Sequence, residues 1–218
     1  MLLTVPRVLD KIYAKVRSGI DGASGNAKRL IDWALKVGTE WVDAESKGAN
    51  PRAGLKAKHW LAERTVFRKL RERICPSLRL VVSGGAPATG HTIEFFNAIG
   101  ITTIEGYGLT ETAAPACVNL MNRKKIGTVG PALPCVEMIV ADDGEILVRG
   151  ASIFKGYYGL EEATREAFVD GWFRTGDIGI IDGDGYLKIT DRKKDIIVNS
   201  SGKNIAPQKI EAILKTVP

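Results

Sequence analysis

Apolar residues recur every three or four positions in the first third of the chain, which is the spacing of amphipathic helices. Three stretches show this spacing, and they are residues 8–16, 30–41 and 60–74. In the last stretch, Arg64, Arg68 and Arg71 fall on a face away from the apolar stripe. The pattern therefore predicts helices over these stretches, the last of them with a basic face.

The pattern then changes to strand, turn, helix and strand. An apolar run at 78–82 leads into a glycine-rich turn, a helix is predicted to about Ala98, and a second strand begins at Ile101. This order is typical of a βαβ unit, whose strands are parallel and whose ligands bind at the carboxyl ends of the strands. Both glycine-containing loops, after Val82 and after Ile104, are expected at those ends.

From about Asn122 the helical pattern stops, and two hairpins are predicted. Their strands are 136–140 with 145–149, and 178–181 with 186–190, each pair joined by an Asp-Gly turn. A small distorted antiparallel β-barrel is the economical interpretation. After a charged patch at 191–195, the pattern indicates one strand and then a short helix that opens at Pro207.

The fold class predicted from these patterns is α/β, with a βαβ parallel-sheet unit followed by the small barrel. The predicted division is 1–121 for the α/β subdomain, 122–190 for the barrel-like subdomain and 191–218 for a third unit.

Composition and cysteine usage exclude several classes of protein. Hydrophobic residues make up 44% and charged residues 26% of the chain, which are values of a folded globular protein. There is no apolar run of about 18 residues and no signal peptide. The 3 cysteines have no CxxC spacing, which argues against a disulfide framework and a zinc site and indicates a cytoplasmic location.

Common catalytic and phosphate-binding motifs are also missing. The chain has 2 histidines, His59 and His91, which argues against a Ser-His-Asp or Cys-His catalytic centre. Neither GxxxxGK[ST] nor a GxGxxG after a strand occurs, which argues against a P-loop and a dinucleotide-binding domain.

The net charge of +6 is concentrated in one segment. Between Arg52 and Arg73, 8 lysines and arginines stand against 2 glutamates, and the rest of the chain is neutral. A solvated helix face is the interpretation favoured for a charge run of this kind. The alternative is that the segment attracts an anionic partner such as phospholipid headgroups, coenzyme phosphates or nucleic acid. Of these, a peripheral contact with an anionic membrane surface is predicted and a nucleic acid is not.

The segment 105–112 combines glycines, an aromatic ring, a hydroxyl and a carboxylate directly after a predicted strand. These groups suit a nucleotide, because Tyr107 can stack on a base, Thr110 can bond a phosphate oxygen and Glu111 can hold Mg²⁺. A strand-ending turn with a helix-capping Thr-Glu pair is the alternative interpretation.

Five stretches together resemble, in order, the motifs of the acyl-adenylate-forming superfamily. They are 83–87 (SGGAP), 107–112 (YGLTET), 144–150 (GEILVRG) with 156–158 (GYY), 171–177 (GWFRTGD) and 191–195 (DRKKD). Within that superfamily the chain is most similar to long-chain fatty acyl-CoA synthetases, judged by 5–8, 125–130 and 201–207. The resemblance implies that residues 191–218 are a hinge and the start of a mobile C-terminal α+β domain.

The resemblance also implies roles for single residues. Catalytic roles fall on Thr110 at the α-phosphate, Glu111 at Mg²⁺ and Lys194 at the hinge. The implied nucleotide-binding residues are Gly84, Gly85, Ala86, Tyr107, Gly108, Thr110, Asp177 and Arg192. Among these, Tyr107 is expected to pack against adenine, Asp177 to accept hydrogen bonds from both ribose hydroxyls, and Arg192 to reach the ribose.

The implied activity is ATP-dependent activation of a long-chain fatty acid to acyl-AMP and then to acyl-CoA, with ATP or AMP, Mg²⁺ and coenzyme A. The family's phosphate loop is expected before residue 1 and its late lysine beyond Pro218, so these residues alone should be weakly active or inactive. Three alternatives remain open: a non-catalytic module that binds AMP or an acyl-adenylate, a fatty acyl-AMP ligase, and a medium-chain acyl-CoA ligase.

Overall fold

The structure, a computed structural model, describes residues 1–195, 197–198 and 204–205 of the chain. The chain divides into two compact units. The first comprises Met1–Gly106 with Asn119–Gly127, and the second comprises Tyr107–Val118 with the residues from Thr128 onward. Gly106, at which the first division falls, lies inside a β-strand.

The helices of the first unit are α1 (Pro6–Asp21), α2 (Gly25–Ser46), α3 (Ala53–Ala62), α4 (Arg68–Ile74) and α5 (Gly90–Ala98). A π-helical turn, Glu63–Phe67, joins α3 to α4. The predicted helices are confirmed, and α1 begins with a proline at its first position, where the missing N–H costs no hydrogen bond. The basic face was predicted wrongly at Arg71, which is half-buried and pairs with Glu63 and with the Ile99 carbonyl.

The strands that follow one another across the first sheet are β1 (Leu2–Thr4), β2 (Leu80–Ser83), β3 (Thr102–Leu109) and β4 (Ala114–Val118). β1, β2 and β3 are parallel, with Val82 opposite Ile104, so the predicted βαβ unit of β2, α5 and β3 is confirmed. β1 was not predicted, because three residues are too few to show alternation. The glycine loop expected after Ile104 was also wrong, since β3 continues to Leu109.

The core of the first unit lies between its helices and β2. Phe67, Phe96 and Ile99 are among its fully buried side chains. Gly38 lets α2 approach α5 closely, because a Cβ there would come within 2.4 Å of the Ala98 carbonyl oxygen. The helices therefore pack against β2, and the glycine-rich turn follows the carboxyl end of this strand.

The second unit is built on an antiparallel sheet. Its strands are β5 (Val136–Val140), β6 (Glu145–Gly150), β7 (Phe168–Val169), β8 (Trp172–Ile181) and β9 (Leu187–Arg192). The order is β5-β6-β8-β7, and β9 pairs with the other part of β8. Both predicted hairpins are therefore confirmed, with β8 longer than predicted. The curled sheet encloses a second core around Ile146, Val148 and Phe173.

A further helix, α6 (Glu161–Ala167), contradicts the prediction that helices stop at about Asn122. It buries none of its residues, so it has no apolar stripe to reveal it. Its sequence, EEATREA, is rich in good helix formers and has acidic residues in the first turn, which favour a helix, and Ala167 packs against the second core.

A short antiparallel pair, β10 (Ile197–Val198) and β11 (Asn204–Ile205), follows. The predicted helix at Pro207 and most of the predicted unit 191–218 lie outside the described residues, so the division at 191 stays a prediction. Among the helices that the structure describes, none is long and apolar enough to cross a membrane. All three cysteines are free, with Cys117 buried.

Candidate adenylate site

The end of β3 leads into a tight turn that presents Thr110 and Glu111. Thr110–Thr112 forms a single 3₁₀ turn, and Ala113 then takes a left-handed backbone conformation with φ of 52°. The turn is closed by Thr112, whose hydroxyl oxygen lies 2.9 Å from both the N–H and the carbonyl oxygen of Leu109. Thr110 is exposed and Glu111 is partly exposed, so both remain accessible to a ligand.

Asp177 is the most enclosed of the sequence-predicted site residues, with 4% of its surface exposed. Its carboxylate accepts a hydrogen bond from the Tyr107 phenol at 2.7 Å and another from Arg192 Nε at 3.0 Å. A carboxylate has about four lone-pair positions, so each oxygen can still accept one more donor. The structure thus brings together three residues that are far apart in the sequence.

Strand pairing explains how Asp177 meets Arg192. The two residues lie directly opposite each other in the β8–β9 ladder. Before Asp177, the backbone turns through Gly176, whose φ of +70° favours glycine. Burial and the neighbouring Asp177 carboxylate raise the pKa of Tyr107, so the phenol keeps its proton and remains a donor.

A cavity of about 490 Å³ adjoins these residues within the second unit. Its polar lining includes the carboxylate of Glu111, the phenol of Tyr157 and four cationic side chains, which are Arg174, Arg192, Lys193 and Lys194. A concave site with several cations suits a phosphorylated ligand. Lys194 lies exposed in the 3₁₀ turn Lys193–Asp195, and its hinge role stays a prediction.

Glu145 was missed by the sequence analysis, although it organises the chain before Asp177. Its side chain is 5% exposed. It accepts hydrogen bonds from the Gly176 N–H at 3.0 Å, from Arg174 at 3.2 Å and from Lys193 Nζ at 2.7 Å. Burial alone would raise the pKa of Glu145, but these donors together lower it. Lys193 also bonds Asp143 at 2.6 Å, which fixes the charged patch to the first hairpin.

Glu145 directly precedes the apolar run Ile146, Leu147 and Val148, and all four residues are buried. That position is the signal in the sequence that marks it. A charged residue at the start of such a buried run requires partners. The sequence does not name those partners, because Lys193 lies 48 residues away.

Glu111 has a partner that the sequence analysis also missed. The Tyr157 phenol donates a hydrogen bond to Glu111 Oε1 at 3.0 Å. The Phe154 N–H donates another to the Glu111 carbonyl oxygen at 2.8 Å. The segment 154–157 is therefore attached to the Thr110–Thr112 turn at two points.

The predicted residues Gly84, Gly85 and Ala86 belong to the first unit, as the turn after β2. Gly85 has a φ of +80°, which favours glycine, and a Cβ on Gly84 would lie 3.1 Å from the Gly106 carbonyl oxygen. Gly108 lies near the end of β3 in the second unit. The structure therefore groups Tyr107, Gly108, Thr110, Glu111, Asp177, Arg192 and Lys194 in one unit.

The donor set fits a magnesium ion carried by a nucleotide. Glu111 supplies a carboxylate at the cavity, and Mg²⁺ is commonly held by one or two carboxylates plus the phosphates of its substrate. Within the described residues there is no group of three or more His, Cys, Asp or Glu that would hold a metal without such a ligand.

Comparison with known proteins identifies relatives over the whole chain. It is similar to the long-chain-fatty-acid--CoA ligase FadD15 of Mycobacterium bovis, with 43% identity over 218 residues covering 100% of this chain and 36% of that relative. It is also similar to long chain acyl-CoA synthetase 3 of Arabidopsis thaliana, with 33% identity over 228 residues covering 98% of this chain and 33% of the relative. The chain thus spans about a third of the length of these curated relatives.

A solved structure has a similar fold. It is the o-succinylbenzoate coenzyme A synthetase of Bacillus subtilis in complex with ATP and magnesium ion, which superposes with a TM-score of 0.61 and 28% identity. The superposition covers 77% of this chain and 40% of that one. The model of the family described as AMP-binding enzyme matches residues 1–158, which is more than half of the chain. The chain therefore belongs to the AMP-binding enzyme family.

Proposed function

We propose that this chain provides the adenylate-binding part of an ATP-dependent long-chain fatty acyl-CoA ligase. In the first step, a fatty acid carboxylate attacks the α-phosphorus of ATP, and acyl-AMP and pyrophosphate form. In the second, the thiol sulfur of coenzyme A attacks the acyl carbon, and AMP leaves. The observation that carries the proposal is the cluster of Tyr107, Asp177 and Arg192. Arg192 of this cluster lines a cavity that Glu111 also lines.

Each residue of this cluster has a task that its chemistry supports. Asp177 accepts the two ribose hydroxyls on its remaining lone pairs, while Tyr107 and Arg192 keep the carboxylate in place. Thr110, exposed on its turn, donates to the α-phosphate. Of the four cations of the cavity, Arg174, Arg192 and Lys193 pair with carboxylates. Lys194 is exposed at the cavity and can offset negative charge on the transferring phosphate by electrostatic stabilisation.

Glu111 is the residue that would hold Mg²⁺. When bound, this ion neutralises phosphate charge as a Lewis acid. Gly84, Gly85 and Ala86 supply a turn without bulky side chains at the carboxyl ends of the parallel strands, where ligands of such sheets bind. The fatty acid and coenzyme A as substrates follow from the names of the curated relatives.

Binding of AMP to the purified chain tests the proposal by calorimetry. Asp177→Asn keeps one acceptor for Tyr107 but loses the charge, so AMP affinity should fall about tenfold or more. Asp142→Ala removes an exposed carboxylate on a hairpin turn and should leave the affinity unchanged. An unchanged affinity in Asp177→Asn, or no AMP binding by the wild type, would overturn the assignment.

Transfer of catalysis is tested in a chimera. The 218 residues replace the matching region of the FadD15 relative, and palmitoyl-CoA formation is measured with palmitate, ATP, Mg²⁺ and coenzyme A. A folded chimera that binds AMP without forming acyl-AMP would favour the non-catalytic binding module. Formation of acyl-AMP without acyl-CoA would indicate a fatty acyl-AMP ligase, and a preference for shorter acids a medium-chain enzyme.

A second candidate function is peripheral contact of a cytoplasmic protein with an anionic membrane through residues 52–73. Trp60 and Leu61 are 61% and 45% exposed, and the Arg64 guanidinium lies 5.7 Å from the centre of the Trp60 ring. Aromatic and basic side chains together are typical of a helix that lies at a membrane surface. The indole and the leucine beside this arginine are the observation that favours membrane contact over a solvated helix face.

Vesicle binding distinguishes the two interpretations of this segment. Lys58, Arg64 and Lys69 are exposed, so reversing them to glutamate should lower affinity for phosphatidylserine vesicles about a hundredfold at low salt. Arg71 is left in place because its pair with Glu63 is partly buried. The same reversal at Lys11, Lys15 and Arg29, which lie outside the segment, is the control. An equal loss of vesicle affinity in both triple variants would mean that residues 52–73 are a solvated helix face and not a membrane contact.

A further inference from the structure

Tyr157 belongs to a motif that the sequence analysis noted without assigning it a task. In the structure its phenol lies 3.0 Å from Glu111 Oε1, although the two residues are 46 positions apart. Both side chains line the same cavity, together with the four cations named above. Tyr157 is 38% exposed, whereas the neighbouring Tyr158 is fully exposed and does not line the cavity.

Two neighbouring side chains, besides Glu111, contact the tyrosine. Its backbone N–H donates to the Thr164 hydroxyl of α6 at 2.9 Å. Gly156 permits this approach, since a Cβ there would lie 2.4 Å from Thr164 Cγ2. The Tyr157 ring packs edge-on against Phe154 at 4.9 Å between centroids, and Phe154 in turn contacts Phe173 at 5.2 Å. These contacts place the phenol beside Glu111.

The hydrogen bond has a definite effect on the carboxylate. The Tyr157 hydroxyl donates to Oε1 of Glu111 at 3.0 Å. Oε1 is then engaged, and Oε2 keeps its lone pairs for another partner. The Phe154 N–H bond to the Glu111 carbonyl fixes the backbone from which the carboxylate projects. The segment 154–157 therefore contacts both the side chain and the backbone of Glu111.

We propose that Tyr157 is a positioning residue that orients the Glu111 carboxylate for a nucleotide-bound divalent cation. The inference rests on the proposed function, because Glu111 is the cation ligand only if the site binds an adenylate. Metal ligands are commonly oriented by an outer hydrogen bond, and loss of that bond weakens metal binding about 10- to 100-fold. Tyr157 would touch neither the cation nor the reacting atoms.

The test measures Mn²⁺ retention by the chain saturated with AMP, followed by the electron paramagnetic resonance of free Mn²⁺. Tyr157→Phe keeps the ring and its aromatic contacts but loses the donor, so its Mn²⁺ affinity should fall at least tenfold. The affinity for AMP without metal should not change. If Tyr157 had only a structural role, its loss would lower the affinity for AMP as well. Tyr158→Phe is the matched control and should behave as wild type.

Glu111→Gln separates failure of this inference from failure of the proposed function. In that background Tyr157→Phe should have no further effect on Mn²⁺, because the two side chains act through one interaction. If the wild type binds no AMP, the proposed function fails. If AMP binds and Glu111→Gln alone abolishes Mn²⁺ retention, an unaffected Tyr157→Phe overturns only the role of Tyr157. Wild type that binds AMP without retaining Mn²⁺ would overturn that role as well.

Discussion

Two buried carboxyl groups in this chain have opposite surroundings. Asp177 receives Tyr107 and Arg192 as donors, so its charge is compensated. Glu105, at 8% exposure, accepts a long hydrogen bond of 3.3 Å from the Ala88 N–H. Burial raises the pKa of Glu105 to about 7, and the backbone N–H offsets only part of this. The difference follows from the donors that reach each carboxylate, which include a cation for Asp177 and a single backbone N–H for Glu105.

Glu105 should make stability fall as the pH rises towards 8. Its pKa in the folded chain exceeds the ordinary value of 4.5, so the unfolded chain loses its proton first. The stabilisation is complete below pH 4.5 and is lost as the pH passes 7. Between about pH 5.5 and 8.5, urea unfolding should show a loss of about 2 kcal/mol relative to Glu105→Gln. Glu94→Gln, at an exposed position of α5, is the control, and parallel pH profiles for wild type and Glu105→Gln would contradict the prediction.

At the scale of elements, buried polar side chains determine how helices and strands attach. Asn97, on α5, is 6% exposed. Its amide nitrogen donates to the Ile93 carbonyl at 3.0 Å and the Thr103 carbonyl at 2.9 Å, and its amide oxygen accepts the Thr103 N–H at 3.1 Å. The asparagine therefore connects the helix to β3 through the backbone of the strand.

Asn97→Ala should lower the free energy of unfolding by about 2–4 kcal/mol. The substitution leaves the N–H and carbonyl of Thr103 without this partner inside the core, and unsatisfied buried groups are costly. Chemical denaturation measures the change, with Asn122→Ala at an exposed site as the control. A loss below about 1 kcal/mol would mean that other groups or water satisfy Thr103 equally well.

At the scale of the whole molecule, the described part of the chain has two hydrophobic cores, one in each compact unit. The net charge is concentrated on residues 52–73 of the first unit, whereas the cluster around Asp177 belongs to the second. Binding of an anionic surface and binding of a nucleotide are therefore expected to respond to different substitutions.

The 218 residues correspond to 36% of the FadD15 relative, so binding of AMP should outlast catalysis. We expect ATP–pyrophosphate exchange by these residues alone, with palmitate and Mg²⁺, to stay near background. Removing a single donor to the developing charge typically costs about 10²–10³ in rate, and a ligase has several such donors. The intact FadD15 relative is the positive control. Robust exchange by the isolated residues would contradict this expectation.

Much of the fold is determined by local sequence patterns. The predicted helices, the βαβ unit and both hairpins follow from apolar periods and turn residues, which act between neighbours in the chain. α6 was not predicted, because a helix of seven residues with no fully buried side chain shows no apolar period. The motifs also named Tyr107, Asp177 and Arg192, without indicating that they contact one another.

Only the tertiary structure decided which side chains meet. Tyr107 reaches Asp177 across 70 positions, Glu111 reaches Tyr157 across 46, and Glu145 reaches Lys193 across 48. A hydrogen bond between distant residues has no period, since it depends on strand register and on burial that together bring two polar atoms within 3 Å. The sequence by itself therefore determined the elements and the chemical groups, and the packing of those elements determined which groups form the site.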